Sequence, residues 1–458
     1  SYASFDAYLF QGSLYDNLTY GLKHAPYRPR QYADKEAARR AWEVAEARKS
    51  GNPDFDVHSD WIDYAALKIE GPEHLLGAIM PVLDGVLLAG DILDLGLRST
   101  TNGTRHPSIA GRIVEVRKAF RVRLESENMG ALVVPFEFGA YNPEATVSEN
   151  LLFGAASGSA LALNVLAADP YLRSVLKSSG LDEPLYNMGL EIASNVAELF
   201  QDLPPDHPFF QQLDLMTAEE IPQYQSLLQK LQGRAFASVS EGDRTKMTML
   251  SFGYVEPLHR FGLLDAELMA RIVAARAIYR EQLPAGLSDR FEPYDPDRFN
   301  TAASLMDNVL FGRIGHLQAD AGERVRAIVR DILHELNLFP DVMAAGLEFG
   351  VGVGGKRLTA SQRQKLNLAR ALLKRPEFLI LNKPLSALDQ QSQWQITVNV
   401  LDWAKAADPK PGIFWVLANP GHAPLFDRVV VFDRGMMTGD GNYDTLIEKN
   451  SQLKALVS

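Results

Sequence analysis

The sequence predicts an α/β fold at the carboxy-terminal end, preceded by mainly α-helical segments that repeat. Three observations predict it. Apolar runs at 378–381, 413–417 and 429–432 read as strands separated by helix-length stretches, the alternation of a sheet with helices packed on it. A short phrase recurs three times, which points to a duplicated building block. Apolar residues at helical spacing (Ile113, Val116, Phe120, Leu124) mark amphipathic helices ahead of the repeats.

The repeated phrase reads GSLYDNLTYG at Gly12–Gly21, EATVSENLLFG at Glu144–Gly154 and AASLMDNVLFG at Ala302–Gly312. Its core is Ser or Thr, two variable residues, an acid, Asn, two further positions, an aromatic and Gly. Upstream, RIVEVRKAFRVRL from Arg112 answers RIVAARAIYREQL from Arg271 at an offset of 159, and YNPEAT from Tyr141 answers FNTAAS from Phe299 at 158. One residue of slippage is what a duplicated segment shows. The arginines of these helices read as a solvated face. A second phrase follows each copy: DILDLGL to Leu97, PLYNMGL to Leu190 and DVMAAGL to Leu347. From the Asn of the first phrase to this Gly is 79, 39 and 38 residues in the three copies, so the first copy carries an insertion. The repeats are too long and unequal for a solenoid.

The 458 residues suggest about three domain-sized units at ~150 residues each. The boundaries drawn here are 1–105, 106–264 and 265–458. Hydrophobic residues make up 46% and charged residues 22%, a globular composition with ample core. A net charge of −11 argues against a nucleic-acid-wrapping surface. With no cysteine there is no disulfide, thiolate metal site or cysteine nucleophile, and the nine histidines never fall at zinc spacing, so no metal site is expected. Asn150–Ala168 carries no charge over 19 residues, but its Gly, Ser and Asn content makes a poor membrane span. Residues 190–290 read as a mostly helical insertion between Pro-rich breaks at LPPDHPFF (Leu203) and EPYDPDRFN (Glu292). The chain opens directly in a dense motif with no initiator Met or signal peptide, and reads as a fragment or processed piece.

From Gly350 the sequence runs GVGVGGKRLTASQRQKLNLARALLKRPEFLILNKPLSALD. Gly350, Gly355 and Lys356 match GxxxxGK, but Arg357 stands where a Ser or Thr must ligate magnesium, and LEFG is a poor strand. The phosphate-loop reading is the weaker one. The whole segment instead resembles the ATPase domain of ABC transporters, of exporter type: a signature sequence opening a helix, then the Walker B strand, then the D-loop. Leu358, Thr359, Ala360, Ser361 and Gln362 fall on the signature positions, and SALD ends on Asp389 of the D-loop. A helix starting at Gln362 aims free N–H groups and its positive dipole end at an anion. The resemblance covers about 291–458, with GIFWVLANP as the H-switch strand and DRVVVFDRGMMTGDGNYDTLIEKN as a terminal hairpin and helix turning at Asp433-Arg434-Gly435. The earlier repeats resemble only the portion from Q-loop to signature.

The resemblance implies ATP and Mg²⁺ as cofactors, a transmembrane domain and a second ATP-binding domain as partners, no nucleic acid, and a place at the cytoplasmic face of a membrane. Several of its key positions are altered. The Walker B Asp falls on Asn382, the following Glu on Lys383, and the H-switch His on Ala418, with His422 four residues later. An ammonium cannot take a proton, so general-base assistance, typically worth ~10²–10⁴ in rate, is lost at Lys383. The Q-loop glutamine falls on Phe5 in the first copy and Pro296 in the third, with Gln11 six places beyond Phe5. No GxxxxGK[ST] loop occurs within the chain. Three functions follow: the degenerate ATP-binding portion of an ABC transporter, a non-catalytic regulator or scaffold reusing the fold, and a DNA-repair or chromosome-maintenance ATPase. The acidic charge and the absence of a long coiled coil weigh against the third.

Overall fold

The computed structural model describes residues 1–101, 106–156, 163–199, 215–217, 219–281, 283–284 and 291–457. The Pro-rich break at Leu203 lies outside them. The elements used below are numbered in chain order. They begin with β1 (Tyr2–Ser4), α1 (Leu14–Thr19), α2 (Ala89–Arg98), α3 (Pro107–Ser126), β2 (Val133–Pro135), α4 (Val147–Leu152) and β3 (Gly154–Ala156). There follow α5 (Asp182–Leu199), α6 (Glu241–Phe252), α7 (Ala266–Glu281), β4 (Phe291–Pro293), α8 (Leu305–Leu310), β5 (Gly312–Ile314) and α9 (Phe339–Leu347). The last are α10 (Ala360–Leu373), β6 (Phe378–Asn382), α11 (Gln390–Ala406), β7 (Gly412–Val416), β8 (Val429–Asp433) and β9 (Met436–Gly441).

The chain divides into two compact units: Ser1–Gly96 together with Val342–Ser458, and Leu97–Asp341. The sequence boundaries at 105 and 264 do not mark them. The reason is strand pairing across the chain: β1 pairs in parallel with β6, Tyr2 opposite Ile380, so the first residues fold with the last.

In the first unit β1, β6 and β7 form a parallel three-stranded sheet in the order β1-β6-β7. Leu379 and Leu381 point into the core, while Phe378, Ile380 and Phe414 are exposed on the other face. The run at 429–432 forms a strand but not in this sheet. β8 pairs antiparallel with β9, because Arg434 (φ +45°) and Gly435 (φ +80°) turn the chain straight back. The insertion in the first copy holds a short antiparallel pair, Lys23–Arg28 with Asp60–Ile62, and a helix, Asp34–Ser50, with no buried residue.

Each residue of the repeated phrase has a structural job. The Ser or Thr caps a one-and-a-half-turn helix: Ser13, Thr146 and Ser304 accept from the N–H three residues on at 3.0, 3.1 and 3.0 Å. For Ser13 and Thr146 the acid at that position reaches back to the cap N–H, completing a capping box. The Asn clamps the loop before the helix with two reciprocal bonds. Asn150 meets the backbone of Asn142, and Asn308 that of Asn300, at 2.8 Å each way; Asn17 meets Phe10 at 3.1 and 3.0 Å. The aromatic ends the helix in a left-handed turn at Phe153 and Phe311, though Tyr20 continues into a 3₁₀ turn instead.

In the second unit the two later copies pair with each other. β2 runs antiparallel to β5 and β3 to β4, with Phe136 and Tyr294 stacked between them at 4.7 Å. Phe136 and Tyr294 each directly follow their strand, as Phe5 follows β1. The arginine helices are exchanged as well. Arg117 on α3 and Arg276 on α7 are buried, contrary to the solvated face expected of them. Burial pushes both guanidiniums down to about 10, and both are saturated by loop carbonyls of the opposite copy.

The glycine of the second phrase sits at helix crossings. A Cβ on Gly96 of α2 would collide with Val342 O of α9, and one on Gly346 of α9 with Ile92 O of α2. In the second unit a Cβ on Gly189 of α5 would collide with Met247 O of α6, and Ser251 of α6 bonds Leu185 O in return. The apolar stretch from Asn150 is split among the end of α4, β3 and a six-residue helix, Leu163–Ala168, apart from 157–162, which are not described. Among the described residues no single helix is long and apolar enough to cross a membrane.

Candidate functional site

The LTASQ segment forms the amino-terminal end of α10. Thr359 is the N-cap, its hydroxyl accepting from Gln362 N at 3.2 Å while Gln362 Oε1 accepts from Thr359 N at 3.0 Å. Ser361 Oγ lies 3.2 Å from the same hydroxyl. Leu358 is buried beneath the cap, and Thr359 and Ala360 are exposed. The first-turn N–H groups of a helix have no intrahelical acceptor, so this end presents donors and a positive dipole to whatever faces it.

Two residues that the sequence did not single out fix α10 in place. Asp91 of α2 accepts from Gln362 Nε2 at 3.0 Å and from Lys365 Nζ at 2.9 Å, both at the helix start. Gln364, buried, donates to Phe5 O at 3.1 Å and to Ser386 Oγ at 3.0 Å, and accepts from Ala387 N at 2.8 Å. It therefore joins α10 to the residue after β1 and to the loop after β6. Asp91 lies within the second phrase, but nothing in its local pattern marked this contact.

The preceding glycine run is not a phosphate loop in this fold. It follows helix α9 and a single bridge between Gly350 and Ser13 rather than a strand. Gly352, Gly354 and Gly355 take φ of +75°, +62° and +73°, and the guanidinium carbon of Arg357 lies over the Phe349 ring, 4.4 Å from its centroid.

At the carboxy end of β6, Asn382 completes the strand and Lys383 turns out of it at φ +47°, donating its N–H to Val416 O at 3.0 Å. Lys383, Ala418 and His422 line one small cleft with Trp415 and Gln393. This brings together the positions expected to hold the water-polarising base and the H-switch, and fills them with an ammonium and a methyl. His422 is buried edge-on to Trp394, ring centroids 5.4 Å apart, and that burial lowers its pKa. Asp389 does structural work, capping α11 through Ser392 N at 2.8 Å and Ser392 Oγ at 2.6 Å, bonds that hold its carboxyl below the usual range.

Magnesium does not fit here. Among the described residues no group of three or more His, Asp or Glu side chains could hold a metal ion, and the end of β6, where the sequence reading expects the Walker B carboxylates, offers the neutral amide of Asn382 beside Lys383. The exposed cap of α10 does suit the terminal phosphate of a nucleotide, as a donor surface and only as half of a site.

No family model matches the chain. Curated relatives do. The heterocyst differentiation ATP-binding protein HepA of a Nostoc species is 34% identical over 155 residues, covering 34% of this chain and 24% of that protein. An ATP-dependent lipid A-core flippase of Xylella fastidiosa is 32% identical over 157 residues, 34% of this chain and 25% of the flippase. The glutathione/L-cysteine transport system ATP-binding/permease protein CydC of Bacillus subtilis is 32% identical over 147 residues, 32% of this chain and 24% of that protein. The matched segment thus spans about a quarter of each relative's length.

Proposed function

We propose, on the premise that part of this chain is an ATP-binding domain of the ABC-transporter family, that the chain serves as the cytoplasmic ATP-binding portion of an ABC transporter with a degenerate hydrolytic site. Its contribution is the capped start of α10: Thr359, Ala360, Ser361 and Gln362 offered to the γ-phosphate of an ATP held by the phosphate loop of a second ATP-binding domain. The observation that carries this is the sequence of elements from that cap through α10 to β6 and the Asp389 cap of α11. Support also comes from the exposed apolar face of the parallel sheet (Phe378, Ile380, Phe414), since parallel sheets are normally covered on both faces. A transmembrane domain is the coupled partner.

Catalysis at such a site is positioning plus electrostatics, and the groups that would polarise water are replaced. A bound nucleotide would therefore be held rather than turned over at Asn382 and Lys383. The same replacement favours the second reading, a regulator or scaffold that never hydrolyses ATP. The double change Asn382→Asp with Lys383→Glu, made in the full-length protein, separates them. A transporter half with a lapsed site gains ATP turnover. No gain removes the assignment of the Walker B position and leaves the scaffold.

A further inference from the structure

In two copies the second phrase opens on an acid, Asp91 on α2 and Asp341 on α9, each the third residue of its helix. Each reaches the start of another helix. Asp341 accepts from Ser108 Oγ at 2.6 Å, at the second residue of α3, and Asp91 accepts from Gln362 and Lys365 on α10. The two helix starts differ. α3 opens without a side-chain cap, whereas α10 opens on the capping box of Thr359 and Gln362. That box needs Gln362 Oε1 toward Thr359 N at 3.0 Å, which sends Nε2 to Asp91 Oδ1, also at 3.0 Å. An ionised carboxylate only accepts, so Asp91 admits Nε2 and disfavours the flipped amide, which would open the box. Lys365 Nζ is held between Asp91 Oδ2 at 2.9 Å and Leu87 O at 2.8 Å, its side chain only 15% exposed. α2 is itself braced. It crosses α9 at Gly96 and Gly346, and the residues before it are tied to α11, where Asn399 Nδ2 donates to Gly85 O at 2.9 Å.

We propose that Asp91 is a positioning residue for the donor end of α10. By fixing the Gln362 amide it keeps the capping box closed, and so leaves the N–H groups of Ala360 and Ser361, which have no intrahelical acceptor, for the phosphate. It acts through Gln362 and does not itself touch the nucleotide. The inference rests on the transporter reading and deepens it, giving the first copy of the second phrase a part in nucleotide binding.

The test is calorimetric titration of ATP into the full-length protein assembled with a second ATP-binding domain. Asp91→Ala is expected to weaken ATP about fivefold, because Gln362 loses the partner that orders its amide. Asp91→Asn keeps an acceptor oxygen in place and should return the affinity to within about twofold of wild type. Gln362→Met removes the same bond from the α10 side, should weaken ATP at least as much, and serves if Asp91→Ala fails to fold. Ser361→Ala, in the cap itself, reports on the transporter reading and should weaken ATP as well. If Ser361→Ala weakens ATP and Asp91→Ala does not, the inference falls and the transporter reading stands. If neither does, or wild type binds no ATP, the reading falls and takes the inference with it. Asp91→Asn as weak as Asp91→Ala also overturns it, moving the effect to the charge on Lys365. Thermal unfolding separates a role in the fold alone, which would lower the midpoint of Asp91→Ala and leave the ATP affinity of the folded protein unchanged.

Discussion

Arg117 and Arg276 hold the same place in two copies of one helix, and each grips the other copy's asparagine. Arg117 Nε donates to Asn308 O at 2.7 Å, and Arg276 Nε to Asn150 O at 2.7 Å. Each guanidinium also covers the aromatic that ends the gripped helix, Phe311 at 4.6 Å and Phe153 at 4.5 Å. In the first unit Arg370 on α10 donates to Tyr8 O, ahead of the first phrase, in a third version of the contact. The duplicated helices are thus clasps for the phrase of another copy.

Removing a clasp exposes the cost of unpaired carbonyls. Arg276→Met is expected to destabilise the second unit by about 3 kcal/mol, since several buried acceptors lose their donor at once. Arg117→Met should behave alike, and Arg112→Met, at a half-exposed position paired only with Glu115 on its own helix, should change stability by less than about 0.5 kcal/mol. Urea unfolding of the three variants decides it; equal effects at all three would show that the burial of Arg117 and Arg276 carries no stability.

The asparagine clamps give a second expectation. Asn308→Ala removes the acceptor for Asn300 N and the donor for Asn300 O, leaving a buried loop unsatisfied. The loss should be about 2 kcal/mol. Asn308→Asp keeps the acceptor alone and should fall between wild type and alanine, as read from thermal midpoints at pH 7.

Glycines on helices behave in opposite ways here. Gly346→Ala drives a Cβ into Ile92 O and should cost about 1–3 kcal/mol or prise α9 from α2. Gly111→Ala, on α3 with open space around it, should stabilise by about 0.5–1 kcal/mol through better helix propensity. Differential scanning calorimetry of the pair would show midpoints moving in opposite directions.

Burial of His422 makes stability depend on pH. Its folded pKa lies below the ordinary 6.5, so on acidification the unfolded chain takes up the proton first. The contribution is full above the unfolded pKa and is lost as pH falls from about 6.5 toward the folded value. His422→Gln should therefore shrink the drop in stability between pH 7.5 and 5.5, with the carboxylates common to both proteins cancelling. An unchanged drop would mean that His422 is protonated equally in both states.

Much of this was legible before folding. Strand runs, the Asp433-Arg434-Gly435 turn and the helical period at Ile113, Val116, Phe120 and Leu124 are local patterns; the strands formed within a residue of their expected places, while that helix starts earlier and runs Pro107–Ser126. The altered residues Asn382, Lys383 and Ala418 were read from the sequence, and the fold brings Lys383 and Ala418 into one cleft beside the end of β6. Three readings missed because their causes are not local. The arginines at 117 and 276 share a helix face with the buried Ile113 and Phe120 and with Ile272 and Tyr279, but the opposite copy's carbonyls that satisfy a buried guanidinium are not local. Asp91 reaches α10 across some 270 residues of chain. Strand β8 left the expected sheet because its own hairpin partner, β9, satisfies its backbone.

By itself the sequence determined the repeated phrase, because capping, clamping and turning are exchanges between residues within ten places of one another. It also determined which chemical groups stand at the end of β6, since side-chain identity is not altered by folding. Only the tertiary structure decided which copy pairs with which, that β1 joins β6, and that Gly96 and Gly346 lie at one crossing. Those choices depend on backbone groups and close approaches between segments hundreds of residues apart, where no local pattern specifies the partner.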